Sequence, residues 1–321
     1  MIKLTPELVN NLLGNIPMAI FELGPQRVID NLVNSVKVGD CILFLGSAVH
    51  APPPADSPYV YPEEARPPLG RELTMRLAEE CDFAGQMHEE NLDLQRVSLC
   101  YEMKGLGRKA LVDSLVDHLG KGKRPSPALH MLAALPFKII VTTNYDQLLE
   151  QALHDCGKRE VLFVYDPTQE AHSQDMFDEP TPERPLLFKI HGDLDRRESI
   201  VITDEDYIGF VQRMSEKDQC HPVPGMVRHM MKRWPTLFVG YGLHDYNLRL
   251  LFRSLRWGID ISKIPMSFSV DVRPDPLIVE VWEKQRRFIT FVTRNLWEFV
   301  PWLHEKVLNR ELSAGATGNA T

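Results

Sequence analysis

The feature that most constrains this chain is a series of short, almost wholly apolar runs separated by helical patterns. The runs are Cys41–Leu45 (CILFL), Lys138–Val141 (KIIV), Val161–Val164 (VLFV), Leu186–Ile190 (LLFKI), Leu237–Gly240 (LFVG) and Met266–Val270 (MSFSV). Strands read this way when both faces of a parallel sheet are covered. Helical patterns such as Asp146–His154 and Asp245–Leu255 separate most of them. The alternation predicts an α/β fold, a Rossmann-like doubly wound parallel sheet.

One stretch breaks the alternation. Between the first two runs lies a purely helical block over about 69–135, with segments LGRELTMRLAEEC, LDLQRVSLCYEM, ALVDSLVDHLG and ALHMLAAL. A simple crossover needs far less, so the block is expected to be an inserted helical subdomain. A Pro-rich stretch precedes it: seven of the 24 prolines fall between Pro52 and Pro68. Proline fixes φ and removes a donor, so this segment reads as a loop. A second loop is expected over about 166–185. The division that follows is an N-terminal helical segment over 1–38, a sheet domain over 39–310 and a disordered tail over 311–321. Trp234, Trp257, Trp282, Trp297 and Trp302 fall in or beside helical patterns, where packing is the default role.

Composition excludes several classes. With 36 Lys and Arg against 44 Asp and Glu, the net charge is −8. Phosphate binding draws on basic residues, so this balance argues against direct nucleic-acid binding. The five cysteines, Cys41, Cys81, Cys100, Cys156 and Cys220, are widely spaced and odd in number. That fits a reduced cytoplasmic protein and gives no zinc-ribbon spacing. No run approaches the ~20 apolar residues of a membrane span.

In open α/β sheets, ligands bind outside the carboxyl ends of the strands. The residues following each run are therefore the candidates. CILFL is followed by Gly46-Ser47-Ala48-Val49-His50, and KIIV by Thr142-Thr143-Asn144-Tyr145-Asp146. LLFKI is followed by His191-Gly192-Asp193, and LFVG by Tyr241-Gly242-Leu243-His244-Asp245. Each has a plain reading beside a functional one. The Gly46-Ser47 turn is a tight strand exit, or backbone amides for a phosphate. Asn144 and Asp146 are caps, or Asn144 holds a ribose hydroxyl or a water. His191 is structural, or a general base near neutral pH. Asp193 orients it, or caps a turn. Asp245 caps a helix and adds, on the functional reading, a cofactor contact.

Four pieces in this order carry a resemblance: FLGSAV at 44–49, VTTNYDQLLEQAL at 141–153, KIHGD at 189–193 and VGYGLHDYNLRLLF at 239–252. Together they span about 40–270, and the TTNYD and HGD elements are the specific ones. The chain resembles the sirtuin-like NAD-hydrolase domains of bacterial antiphage defence proteins. The resemblance implies a Rossmann-like NAD site with Asn144 and His191 as the catalytic pair. It implies that Gly46 and Ser47 contact the NAD phosphates and, more weakly, that Asp245 contributes. Thr143, Asp146, Gly240 and Tyr241 complete the expected NAD-binding set on the same rim. The first turn departs from the family's usual Gly-Ala-Gly at Ala48, and a bulky His50 follows.

The expected activity is that of an NAD+ glycohydrolase (NADase), giving nicotinamide and ADP-ribose, with NAD as substrate and no zinc. The expected role is the NAD-depleting effector of an antiphage system in the cytoplasm. A non-catalytic NAD- or ADP-ribose-binding module is the alternative; a protein deacylase is disfavoured by the missing zinc cysteines. Because uncontrolled NAD loss harms the host, a separate activator is expected, a ring translocase ATPase or a nucleic-acid-guided protein. Homo-oligomerisation is expected too, with LVNNLLGNI (8–16) and VIDNLVNSV (28–36) as candidate assembly surfaces.

Overall fold

The computed structural model describes residues 25–83, 93–168, 179–214, 221–243, 252, 265–284 and 289–308. Seven strands form one all-parallel sheet: β1 (Ile42–Leu45), β2 (Ile139–Thr142), β3 (Val161–Val164), β4 (Leu186–Lys189), β5 (Thr236–Val239), β6 (Ser267–Val270) and β7 (Ile289–Val292). Their spatial order is β3-β4-β2-β1-β5-β6-β7. From β1 the chain builds outward to one side, then returns to place β5 on the other. The order therefore reverses at β1, where doubly wound sheets open a ligand crevice. The six apolar runs are all strands, within a residue or so of the expected bounds. The seventh, β7, is an additional edge strand.

Alternate side chains of each strand enter opposite faces, because the pleat has a period of two. Leu43, Leu45, Ile140, Leu187, Leu237 and Val239 pack on one side. They meet α1 (Pro25–Lys37), α5 (Pro127–Ala134), α6 (Leu148–Asp155) and α10 (Leu296–Leu308). Ile42, Phe44, Ile139, Val141, Phe188 and Phe238 pack on the other. There they meet α7 (Asp204–Arg213), α8 (Gly225–Met231) and α9 (Pro276–Lys284). Trp282, from α9, is fully buried there, as is Phe252. Covering both faces is what makes the strands continuously apolar.

The helices of the 69–135 block divide between two places. The helices α2 (Gly70–Glu80), α3 (Leu94–Tyr101) and α4 (Gly107–Leu119) build a separate core from Leu73, Leu77, Val97, Leu111 and Leu115. Tyr145, Leu194, Ile200 and Ile202, from the loops after β2 and β4, dock into that core. The fourth helix, α5, instead lies on the sheet. Ser126 caps it by accepting the Leu129 N–H at 3.0 Å, with Pro127 at the first helical position.

Helix α1 also belongs to the sheet. Val28, Leu32, Val33 and Val36 of VIDNLVNSV are buried in its core. That apolar face is therefore covered within the chain and does not offer an assembly surface. LVNNLLGNI, Trp257, the 245–255 helical pattern and the 311–321 tail lie outside the described residues, except for Phe252. Among the described residues no helix is long and apolar enough to cross a membrane.

Candidate active site

Strand register puts the candidates on one rim. Leu45 pairs with Thr142 and with Val239, and Thr142 pairs with Lys189. The four central strands therefore end level, and Gly46, Thr143, Ile190 and Gly240 begin their exits side by side. A cleft of about 260 Å³ opens above them. Ser47, His50, Thr143, Asn144, Asp146, His191, Gly240 and Tyr241 form its strand side. Pro67, Pro68, Gly70, Leu73, Leu94 and Gln95 face them from the Pro-rich loop and the helical insert. Asp245 lies outside the described residues.

The turn after β2 is anchored before it reaches the cleft. The Thr142 hydroxyl accepts the Asn144 N–H at 3.0 Å and donates to the Leu45 carbonyl at 3.3 Å. The Thr143 N–H donates to the same carbonyl at 3.2 Å. The Tyr145 hydroxyl donates to Val201 O at 2.9 Å, tying this turn to the loop after β4. Asp146 Oδ1 accepts the Leu148 N–H at 3.0 Å, the capping role read from the sequence. Its other oxygen lies 3.3 Å from His50 Nε2. Burial opposes ionisation of Asp146, but His50 and then Lys189 outweigh it and hold the carboxyl below the usual carboxylate range.

The turn after β4 is equally constrained. Gly192 has φ +93°, and a Cβ there would stand 2.2 Å from Ser199 O. Only glycine fits both the backbone and the space. The His191 carbonyl accepts the Val201 N–H at 2.9 Å. Its ring stands edge-on to Tyr207 at 5.1 Å, with Nδ1 3.3 Å from the Tyr207 hydroxyl. Such a contact fixes the orientation of the ring. Asp193 takes the turn-capping role: Oδ1 accepts the Asp195 N–H at 2.7 Å, and Oδ2 pairs with Lys189.

Lys189 is the hub beneath this rim. It is fully buried. Its ammonium donates to Tyr145 O at 3.2 Å, Asp146 O at 2.6 Å and Glu150 Oε1 at 2.9 Å. Burial disfavours its charge, yet Glu150, Asp193 and Asp146 more than restore it. Burial pushes the Glu150 carboxyl up to about 7, with Lys189 opposing. One cation thus joins the two turns that carry Asn144 and His191.

The exits of β1 and β5 interlock. Gly46 N–H donates to Val239 O, Ala48 N–H to Gly240 O, and Val49 N–H to Gly46 O. These three amides are spent within the protein rather than offered to a phosphate. Gly46 stands behind the cleft wall, where a Cβ would come within 2.5 Å of Gly240 O. Gly240 has φ +67°, and a Cβ there would lie 2.1 Å from Val49 N. Gly240→Ala should therefore destabilise the fold by roughly 3 kcal/mol through strain and clash. Urea unfolding measures this; a loss below roughly 1 kcal/mol would contradict the interlock.

Residues 138–289, which hold the turns after β2, β4 and β5, match the SIR2-like domain. Over those residues the chain is similar to the SIR2-like family. Three relatives illustrate it. NAD(+) hydrolase ThsA of Acinetobacter baumannii is 25% identical over 238 residues, 74% of this chain and 43% of that protein. Defense-associated sirtuin 2 of Bacillus subtilis is 28% identical over 186 residues, 56% of this chain and 16% of the relative. NAD(+) hydrolase ThsA of Enterococcus faecium is 25% identical over 170 residues, 53% of this chain and 33% of the relative. The chain thus spans less than half the length of these relatives.

Three residues of this site carry little or no signal in the sequence. From its sequence context His50 is only a bulky neighbour of the turn after β1. Tyr207 has no local signal, since it reaches His191 from a helix that begins after a loop. Lys189 did leave one: a lysine closing an otherwise apolar buried strand, LLFK, needs a buried partner.

Proposed function

We propose that this chain is an NAD+ glycohydrolase that breaks the nicotinamide–ribose bond, serving as the NAD-depleting effector of a bacterial antiphage defence system. The observation that carries this reading is the shared cleft. Asn144 and His191, from different strand ends, line one crevice at the reversal point of the sheet. Relatives named NAD(+) hydrolase and defense-associated sirtuin support the same reading.

The chemistry suits the lining. Nicotinamide leaves neutral from a cation, so no acid is needed to protonate it. The transition state is oxocarbenium-like, as in glycoside hydrolysis. The site must restrain the ribose, exclude bulk water and position one water. Asn144 offers amide donors and an acceptor for a ribose hydroxyl or that water. His191, oriented by Tyr207, accepts the water's proton as oxygen bonds to the ribose carbon. One NAD+ and one water give nicotinamide, ADP-ribose and one proton. Ligand sites run roughly 300–1,000 Å³, so a cleft of about 260 Å³ suits one end of a dinucleotide. The apolar Pro67, Pro68 and Leu73 on its far side suit the flat nicotinamide ring.

Control by a separate activator, a ring translocase ATPase or a nucleic-acid-guided protein, and self-assembly remain part of the proposal. The alternative is a module that binds NAD or ADP-ribose without cleaving it. Product analysis distinguishes them. Incubation with NAD+ should release nicotinamide and ADP-ribose in equal amounts. Tight binding with no release, alone and with the proteins encoded beside it, would favour the binding module.

A further inference from the structure

We infer that His50 is a positioning residue for Asn144: its Nε2–H, anchored on Asp146, sets the amide's orientation in the cleft. The inference rests on the NAD-cleaving reading of this site. His50 is 3% exposed and closes the short 3-10 turn after β1. Its Nε2 lies 3.3 Å from Asp146 Oδ2 and 3.4 Å from the terminal amide of Asn144, 94 residues away.

Donor and acceptor rules fix the arrangement. An ionised carboxylate only accepts, so the nitrogen facing Asp146 carries the proton. Two donors do not face each other. The Asn144 carboxamide must therefore turn its oxygen toward His50, the end-for-end exchange that near-identical amide atoms permit. Both amide protons are then released from His50, for acceptor oxygens such as those of a ribose. Nδ1 of His50 agrees. It is buried with no hydrogen-bond partner among the described residues. A bare lone pair in that place costs less than a stranded N–H.

This gives His50 a role unlike simple packing. Misplacing a substrate-positioning group costs turnover more than affinity, by about 10–100-fold here. His50→Phe keeps the ring and loses the donor, so kcat should fall by that factor while KM stays within a few-fold. His50→Gln places an amide N–H at similar reach and should restore most of kcat. Histidine-selective ¹⁵N labelling of the unmodified chain reads the tautomer directly, with His50 assigned by its absence from His50→Gln. Nε2 should resonate as the protonated nitrogen and Nδ1 as the bare one. Unchanged kcat in His50→Phe, a His50→Gln variant as slow as His50→Phe, or the reversed tautomer would each overturn the proposal. If the unmodified chain releases no nicotinamide, alone and with the proteins encoded beside it, the NAD-cleaving reading fails, and the ring resonances alone decide the geometry.

Discussion

Replacing Lys189 by methionine should lower stability by about 3–5 kcal/mol, because removing one partner strands buried charge. The side chain is fully buried, and its ammonium satisfies Glu150, Asp193 and two backbone carbonyls. Methionine fills similar volume and supplies none of those donors. The loss should also depend on pH, with a definite sign. Without the ammonium, nothing offsets the burial that raises the Glu150 carboxyl pKa in the fold. A carboxyl whose folded-state pKa lies above its unfolded value binds more protons folded than unfolded. Stability then falls as pH rises. Glu150 already behaves this way, being pushed from 4.5 up to about 7. The penalty of Lys189→Met should therefore be smaller at pH 5 than at pH 8. Urea unfolding at both values measures it. A loss under about 1 kcal/mol, or one equal at the two pH values, would show that the cluster does not hold the rim together.

The second large effect concerns the reaction. His191→Ala should reduce nicotinamide release by about 10²–10⁴-fold, the range for losing a proton-transfer group. The fold should survive. His191 lies at a strand end rather than mid-strand, and its backbone bond to Val201 does not involve the ring. Binding of NAD should weaken far less than turnover, since most of the cleft wall remains. A variant with full activity would remove His191 from the mechanism.

The strands show why much of this was legible. Burial on both faces produces continuous apolar runs, and six of the seven strands carry that mark. β7, ITFV, is interrupted by Thr290 and half-buried at its middle residues; β3, at the other edge, is half-buried too yet reads as an apolar run, so edge position alone does not set the mark. The candidate site was legible for a related reason. Parallel strands end together, so polar residues after separate runs converge on one rim without any contact being known. What sequence could not show are relations across the chain. Whether α5 joins the helical insert or the sheet depends on partners far away, chiefly α6 and α10. Gly46 reads as a phosphate contact and Gly240 as part of the NAD-binding set, yet their bare backbones also fit against each other's turns. The His50–Asn144 and Tyr207–His191 contacts link residues whose local patterns say nothing of one another.

The most direct measurement of the central claim is nicotinamide release from NAD+ by the purified chain beside Asn144→Ala, each with and without the proteins encoded next to it. The account predicts release by the unmodified chain, about 10²–10⁴-fold slower in the variant, with unchanged melting temperature. Release at equal rates by both would contradict the assigned site. No release by either under any of these conditions would contradict the reaction itself.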